Sequence, residues 1–163
     1  MRALRFNAAE ILDIAIRIEH NGAAFYRKAA AGRAGGENRG FLLELAAMEE
    51  EHEKTFRDMR AALPDAKADP FLPVNDDAGL YLDAMADFHG GEGSRPAAER
   101  LDGNEALSDI IRTAIELEVK SILYYEGLLP LVPPHLGRDR VAAIIAEERR
   151  HVVVLQRELR RVA

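Results

Sequence analysis

Met48-Glu49-Glu50-Glu51-His52 sets a carboxylate and an imidazole three residues apart, and Glu147-Glu148-Arg149-Arg150-His151 does so again 99 residues later. Working outward, each pair has a Glu 30 residues upstream: Glu19 before Glu49, and Glu118 before Glu148. A tyrosine follows each upstream Glu by seven residues, Tyr26 and Tyr125, again at an offset of 99. One shared spacing arises easily by chance; four positions at one offset do not. The two segments supply four carboxylates and two imidazoles on four prospective helices, the ligand set of a carboxylate-bridged pair of metal ions.

The residues around these motifs carry a helical period. Ala8, Ile11, Leu12, Ala15, Ile18, Gly22, Phe25, Tyr26 and Ala29 recur every three or four positions and predict a helix over 8–30. Gly32, Gly35 and Gly36 break it, with Asn38 as a cap for the next helix, 38–63, which Pro64 ends. A third helix is expected over 104–129, stopped by Pro130, Pro133 and Pro134, and a fourth over 138–162. Residues 64–103 are rich in Pro and Gly and carry no site pattern, although Leu80, Ala84, Met85 and Phe88 suggest a short helix there. No stretch alternates with period two long enough for a strand. The expected fold is therefore all-α: a single domain over 1–163 in which two antiparallel helix hairpins are joined by a long crossover. A helix of about 25 residues is about 38 Å long, a distance that 40 connecting residues cover easily.

Phase separates the motif residues from an ordinary solvated face. On the second helix the apolar stripe runs Phe41, Leu45, then Glu49 and His52, then Phe56 and Met59. On the fourth it runs Val141, Ile144, then Glu148 and His151, then Leu155 and Leu159. Glu19 and Glu118 sit mid-stripe one turn past Ala15 and Ala114. Spacing of i, i+3 puts two groups side by side on one helix face. Buried together, four carboxylates repel: one like-charged pair at about 4 Å and an effective dielectric of about 20 costs about 4 kcal/mol. Two divalent cations neutralise the layer, whereas a proton-sharing Glu/His network is the metal-free alternative. Tyr26 and Tyr125 lie two turns beyond the upstream Glu residues on the same face. Hydrogen-bond donors to the ligands, redox-active tyrosines and plain core packing are all open readings for them. Glu50, Glu51, Glu147, Arg149 and Arg150 fall off the stripe and read as solvated, as does His20; His89 and His135 have no partner spacing.

Composition narrows the field further. A net charge of −6 argues against a nucleic-acid binder, which needs a basic face. The chain has no cysteine, which removes thiol catalysis, disulfides and iron–sulfur clusters and leaves His and carboxylate as metal ligands. Met1-Arg-Ala-Leu-Arg-Phe6 has the basic start of a signal peptide, but Glu10 and Asp13 interrupt any apolar region behind it. No uncharged apolar run approaches the ~18 residues of a membrane span. A cytoplasmic location without membrane attachment is the expectation.

The segments Ile18–Tyr26, Met48–His52, Leu117–Tyr125 and Ala146–His151 together resemble the helix motifs of the ferritin-like superfamily, and within it of the rubrerythrin-like proteins, in order and spacing. The resemblance covers the four helices and not the crossover. It implies a ferritin-like four-helix bundle with a di-iron centre that reacts with dioxygen or hydrogen peroxide. It also implies that Glu19 and Glu118 are terminal ligands, that Glu49 and Glu148 bridge, and that His52 and His151 each bind one ion. Rubrerythrins proper carry a rubredoxin-like domain with four cysteines, absent from this chain. They also carry an extra carboxylate three residues after the third-helix ligand, where this chain has Ser121. The more symmetric ligand set that remains is closer to a ferroxidase.

The leading expectation is an iron-dependent oxidoreductase that oxidises Fe(II), reduces O₂ or peroxide, or does both, with a separate electron donor and a homodimer or higher homo-oligomer as partners. The alternative is a metal-binding protein without turnover, acting in storage or sensing. Manganese or zinc suits the same ligands, since selectivity among divalent ions follows geometry and availability. A third reading is a helical interaction module whose site only stabilises the fold. Hydroxylation of an organic substrate is disfavoured by the small space in so compact a bundle.

Overall fold

The computed structural model describes residues 8–33, 36–63, 76–88 and 96–162. Five α-helices account for most of them: α1 (Ala8–Ala31), α2 (Glu37–Ala61), α3 (Asp76–Phe88), α4 (Leu107–Leu128) and α5 (Arg138–Val162). Short 3-10 turns occupy Ala97–Arg100, Leu129–Leu131 and Pro134–Leu136, and there is no strand among the described residues. No helix among the described residues is long and apolar enough to cross a membrane. His89 and the N-terminal Met1–Phe6 lie outside the described residues.

The long helices pair as two hairpins, α1 with α2 and α4 with α5. Cross-helix pairs give the direction. Asp13 meets Arg60, His20 meets Glu53 and Arg27 meets Glu50, so numbers fall along α2 as they rise along α1. Likewise Tyr124 donates to the Ile11 carbonyl, and Tyr26 donates to Glu118. Helix α4 therefore also runs antiparallel to α1 and hence parallel to α2. A chain leaving the end of α2 must return the length of the bundle before α4 starts, which is the physical reason for the long crossover. Its last part closes back on the first loop: the Arg33 guanidinium donates to the Glu105 carbonyl, and a Cβ on Gly32 would stand 3.2 Å from the Gly103 carbonyl oxygen.

Helix α4 begins at Leu107, not at Asn104, because the preceding residues fold onto a carboxylate. Glu105 accepts hydrogen bonds from the backbone N–H groups of Asp102 and Gly103, while Asp102 accepts one from Asn104. Gly103 sits at φ 94°, in the left-handed region that favours glycine. At the other end Pro130 forces the last turn into the 3-10 form over Leu129–Leu131.

The apolar interior is not continuous. One cluster, with Ile11, Leu12, Phe56, Met59, Tyr124, Leu128, Val141 and Ile144, fills one end of the bundle. Another, with Phe25, Ala29, Leu42, Leu45, Ile110, Ile111 and Leu155, fills the other. Each fully buried large side chain is worth about 1.5–3 kcal/mol, so each end is a core in its own right. Between them lies a layer of buried polar groups.

Candidate metal centre

Among the described residues the buried polar and charged ones are Glu19, Glu49, His52, Glu118, Ser121, Glu148 and His151, none more than 7% exposed. Six of these are the carboxylates and imidazoles expected from the repeat, one from each of α1 and α4 and two from each of α2 and α5. They reach the middle of the bundle because their stripe positions would otherwise hold apolar side chains. His52 Nδ1 lies 3.0 Å from Glu148 Oε1 and 3.4 Å from Glu19 Oε2. His151 Nδ1 lies 2.8 Å from Glu148 Oε2 and 3.6 Å from both Glu49 Oε1 and Glu118 Oε1. The two imidazole rings stack with centroids 5.8 Å apart.

The tyrosines act as donors across the bundle. Tyr26 of α1 donates its hydroxyl to Glu118 Oε1 of α4 at 2.5 Å, and Tyr125 of α4 donates to Glu19 Oε1 of α1. Each phenol thus holds one oxygen of a carboxylate on the opposite hairpin; Glu19 turns its other oxygen to His52, whereas Glu118 shares Oε1 between Tyr26 and His151. Burial, followed by the charges of Glu118 and Glu19 respectively, pushes both phenols well above their ordinary range, so both keep the proton they donate. Ring contacts of Tyr125 with Phe56 and of Tyr26 with Phe25 fix the two side chains from the apolar side.

Protonation in the metal-free layer is strongly displaced. Burial raises Glu19 and Glu49, with neighbouring carboxylates adding to the effect, and raises Glu118 to about 8. Burial opposes charge on the imidazoles too, but the carboxylates around them outweigh it and lift His52 to about 11 and His151 to about 12. Glu148 is the exception: burial pushes it up, yet the two imidazoles bring it down to about 2. The metal-free layer is therefore held together by protons, with imidazolium groups in place of cations.

Much of the layer's bonding capacity is unused. Among the described residues Glu19 Oε2, Glu49 Oε1, both oxygens of Glu148 and Nδ1 of both histidines are buried with only one another as charge partners, at 2.8–3.6 Å and without hydrogen-bond geometry, and Nε2 of His151 has no partner at all. Leaving buried polar atoms unsatisfied costs about 1–3 kcal/mol each, so such a concentration marks atoms arranged for something else. They fall into two overlapping groups, Glu19–Glu49–His52–Glu148 and Glu49–Glu118–Glu148–His151, each with its ligand atoms within 4.8 Å of one another. Glu49 and Glu148 belong to both. Four carboxylates and two imidazoles in two quartets sharing two carboxylates match the donor set and charge of a divalent metal pair.

Two neighbours shape the layer. A Cβ on Gly22 would come within 3.1 Å of Glu49 Oε2, so the missing side chain makes room for that carboxylate. A cavity of about 30 Å³ opens beside it, lined by residues that include Gly22, Tyr26, Glu49, Glu118 and Ser121. Glu147, which the helical stripe assigns to solvent, is half-buried and accepts a hydrogen bond from His52 Nε2 at 2.8 Å. Its position beside Glu148 is visible in the sequence, but its contact crosses from α5 to α2 and has no periodicity to reveal it. The other off-stripe residues behave as surface groups: His20 is 66% exposed beside Glu53, and Arg149 pairs with Glu126.

No family model and no curated protein matches the chain. Among solved structures it is similar to a crystal structure from Thermotoga maritima described as a ferritin-like diiron-carboxylate protein, at 26% identity over 95% of each chain with a TM-score of 0.69. By its all-helical architecture and that likeness the chain belongs to the ferritin-like superfamily, and its buried carboxylate–imidazole layer fits a di-iron protein.

Proposed function

We propose that this chain is a di-iron oxidoreductase that oxidises Fe(II) at the expense of O₂ or hydrogen peroxide. The observation that carries the reading is the pair of quartets sharing Glu49 and Glu148. Glu19 and His52 would hold one ion, Glu118 and His151 the other, and Glu49 and Glu148 both. Two Fe(II) ions supply two electrons, enough to convert one hydrogen peroxide and two protons into two waters. Carboxylate-rich ligation favours the ferric product, since hard oxygen donors stabilise the higher charge.

The side chains of this chain set the conditions for that chemistry. Tyr26 and Tyr125 fix the rotation of Glu118 and Glu19 by donating to one oxygen of each. Phe25, Phe56 and Tyr124, fully buried on either side of the layer, limit the access of water. The cavity at Gly22 and Ser121 has room for a molecule about the size of water and none for an organic substrate, which favours O₂ or peroxide over hydroxylation. With no cysteine in the chain, electrons beyond those of Fe(II) would come from a separate donor.

The test is anaerobic loading with Fe(II) followed by exposure to O₂ or peroxide. Ferric charge-transfer absorbance with more than one turnover per site supports the proposal. Two ions bound without oxidation would turn the reading into metal storage or sensing, and no binding would leave a helical module.

A further inference from the structure

The two halves of the layer treat their histidines differently. A ring that offers Nδ1 to a metal must carry its proton on Nε2, and that N–H needs an acceptor. His52 has one: Nε2 lies 2.8 Å from Glu147 Oε2, on a side chain itself 3.6 Å from the Arg150 guanidinium. His151 has none among the described residues, its Nε2 being buried and without a partner there. The offset of 99 explains the difference, because the residue equivalent to Glu147 in the first hairpin is Met48, whose thioether is at best a weak acceptor. A second observation points the same way. Of the six layer residues the cavity touches only Glu118 and the shared Glu49, so it reaches the second position through Glu118 and has no contact with Glu19 or His52.

We propose that Glu147 is a positioning residue for His52 and makes the two metal positions unequal: the Glu19–His52 position takes a divalent cation first and tightly, and the Glu118–His151 position fills last and exchanges. The inference rests on the reading of the layer as a two-ion site, but not on any oxidation. Glu147 holds the ring of His52 by its Nε2–H, with Nδ1 turned toward Glu148 and Glu19, before metal arrives. At His151 no such contact among the described residues holds Nε2, so the ring is not fixed for ligation in advance. The ion beside the cavity is then the one that enters and leaves.

Manganese(II) alone is the probe, titrated into the full chain at neutral pH, followed by calorimetry and electron paramagnetic resonance. The wild type should bind two ions in two steps about 10–100-fold apart, the usual weight of a hydrogen-bonded partner to a ligating histidine. One equivalent should give the signal of isolated Mn(II), and the second should couple the spins. Glu147→Ala should weaken only the first step, bringing the two together. Glu147→Gln, nearly isosteric and still able to accept the Nε2 proton, should keep part of the separation and guards against a folding defect in the Ala variant. Glu118→Gln should abolish the late step and keep the early one. Two ions bound in a single step of equal affinity, or a Glu147→Gln variant that weakens both steps alike, overturn the proposal and leave the two-ion reading standing. Loss of the early step in Glu118→Gln overturns the order of filling. Fewer than two ions bound overturns both the proposal and the reading beneath it.

Discussion

The α1–α2 hairpin and the α4–α5 hairpin carry the same layer residues in different surroundings. At an offset of 99, Glu19, Tyr26, Glu49 and His52 are repeated as Glu118, Tyr125, Glu148 and His151. Around them the chain has drifted: Gly22 faces Ser121 across the repeat, Phe25 faces Tyr124, and Met48 faces Glu147. The surface pair Arg27–Glu50 of the first hairpin even reappears with its charges exchanged, as Glu126–Arg149 in the second. What persists is what all four helices must agree on, and what varies needs agreement only from a neighbour. The electrostatics follow the variation. Glu49 is raised well above the ordinary carboxylate range, whereas Glu148, placed between both imidazoles, is lowered to about 2.

That contrast between the two shared carboxylates gives the largest expected effect. Glu49→Gln and Glu148→Gln should each cut metal content from about two ions per chain to one or fewer, because each residue serves both quartets. Their effects on the metal-free protein should be opposite. Glu49→Gln relieves crowding and raises the melting temperature, while Glu148→Gln removes the counter-charge of two imidazoles and costs on the order of 2–3 kcal/mol. Glu50→Ala, on the exposed side, should leave both properties unchanged. Equal and destabilising outcomes for Glu49→Gln and Glu148→Gln would remove the electrostatic distinction between the hairpins.

Metal itself is the next lever. Mn(II) at about 100 times its dissociation constant should add about 2.7 kcal/mol by mass action, or about 5–10 °C in melting temperature for a chain of this size. The pH dependence of the metal-free chain has a definite sign. Glu118, raised from 4.5 to about 8, stabilises the fold while protonated, a contribution present below 4.5 and lost as pH rises through about 8; Glu19 and Glu49 shift the same way. His52 and His151 contribute stability that is complete below 6.5 and is lost as pH rises toward about 11 and about 12. Glu148 acts oppositely, but only as pH falls from 4.5 toward about 2. From about pH 5 to 8 the metal-free melting temperature should therefore fall, and with Mn(II) it should not. Thermal unfolding at both ends of that window, with and without the ion, checks it; parallel curves would refute a proton-held layer.

Tyr26→Phe and Tyr125→Phe probe the part of the comparison that is symmetric. Each removes one hydrogen bond to a carboxylate, worth about 1.5 kcal/mol at the low end for a charged acceptor. The two losses in stability should match closely, and a large mismatch would extend the inequality of the hairpins from the histidines to the tyrosines. Arg27→Ala and Arg149→Ala come last, each breaking an exposed ion pair worth about 0–1 kcal/mol. A greater loss from either would mean that the exchanged surface charges hold the hairpins more firmly than their exposure indicates.

The architecture was legible because helical phase is a local property. The stripes through Phe41, Leu45, Phe56 and Met59, and through Val141, Ile144 and Leu155, can be counted along the chain, and the polar interruptions fall at one height in each helix. What could not be read depends on distances between helices. The tyrosines had three open roles because their acceptors, Glu118 and Glu19, lie on the other hairpin. Glu147 was missed because its value lies in the direction of the His52 ring, about 100° away from its own neighbour Glu148 around α5. The late start of α4 was hidden for a different reason: Glu105 is a good helix residue that is used instead as an acceptor in the turn before it.

The division of the interior into two apolar clusters by a polar layer also bears on how the helices find their alignment. Leucine, isoleucine, phenylalanine and alanine are similar enough that a helix displaced by one turn, about 5.4 Å, would still bury mostly carbon against carbon. Such slippage is the degeneracy to which uniformly apolar bundles are prone. Here the same slip would press Glu49 or Glu148 into a hydrocarbon layer and strand His52 or His151 away from its carboxylates. Each helix therefore has one height at which its charges are answered, so the layer acts as a key that selects a single register from several that packing alone would accept.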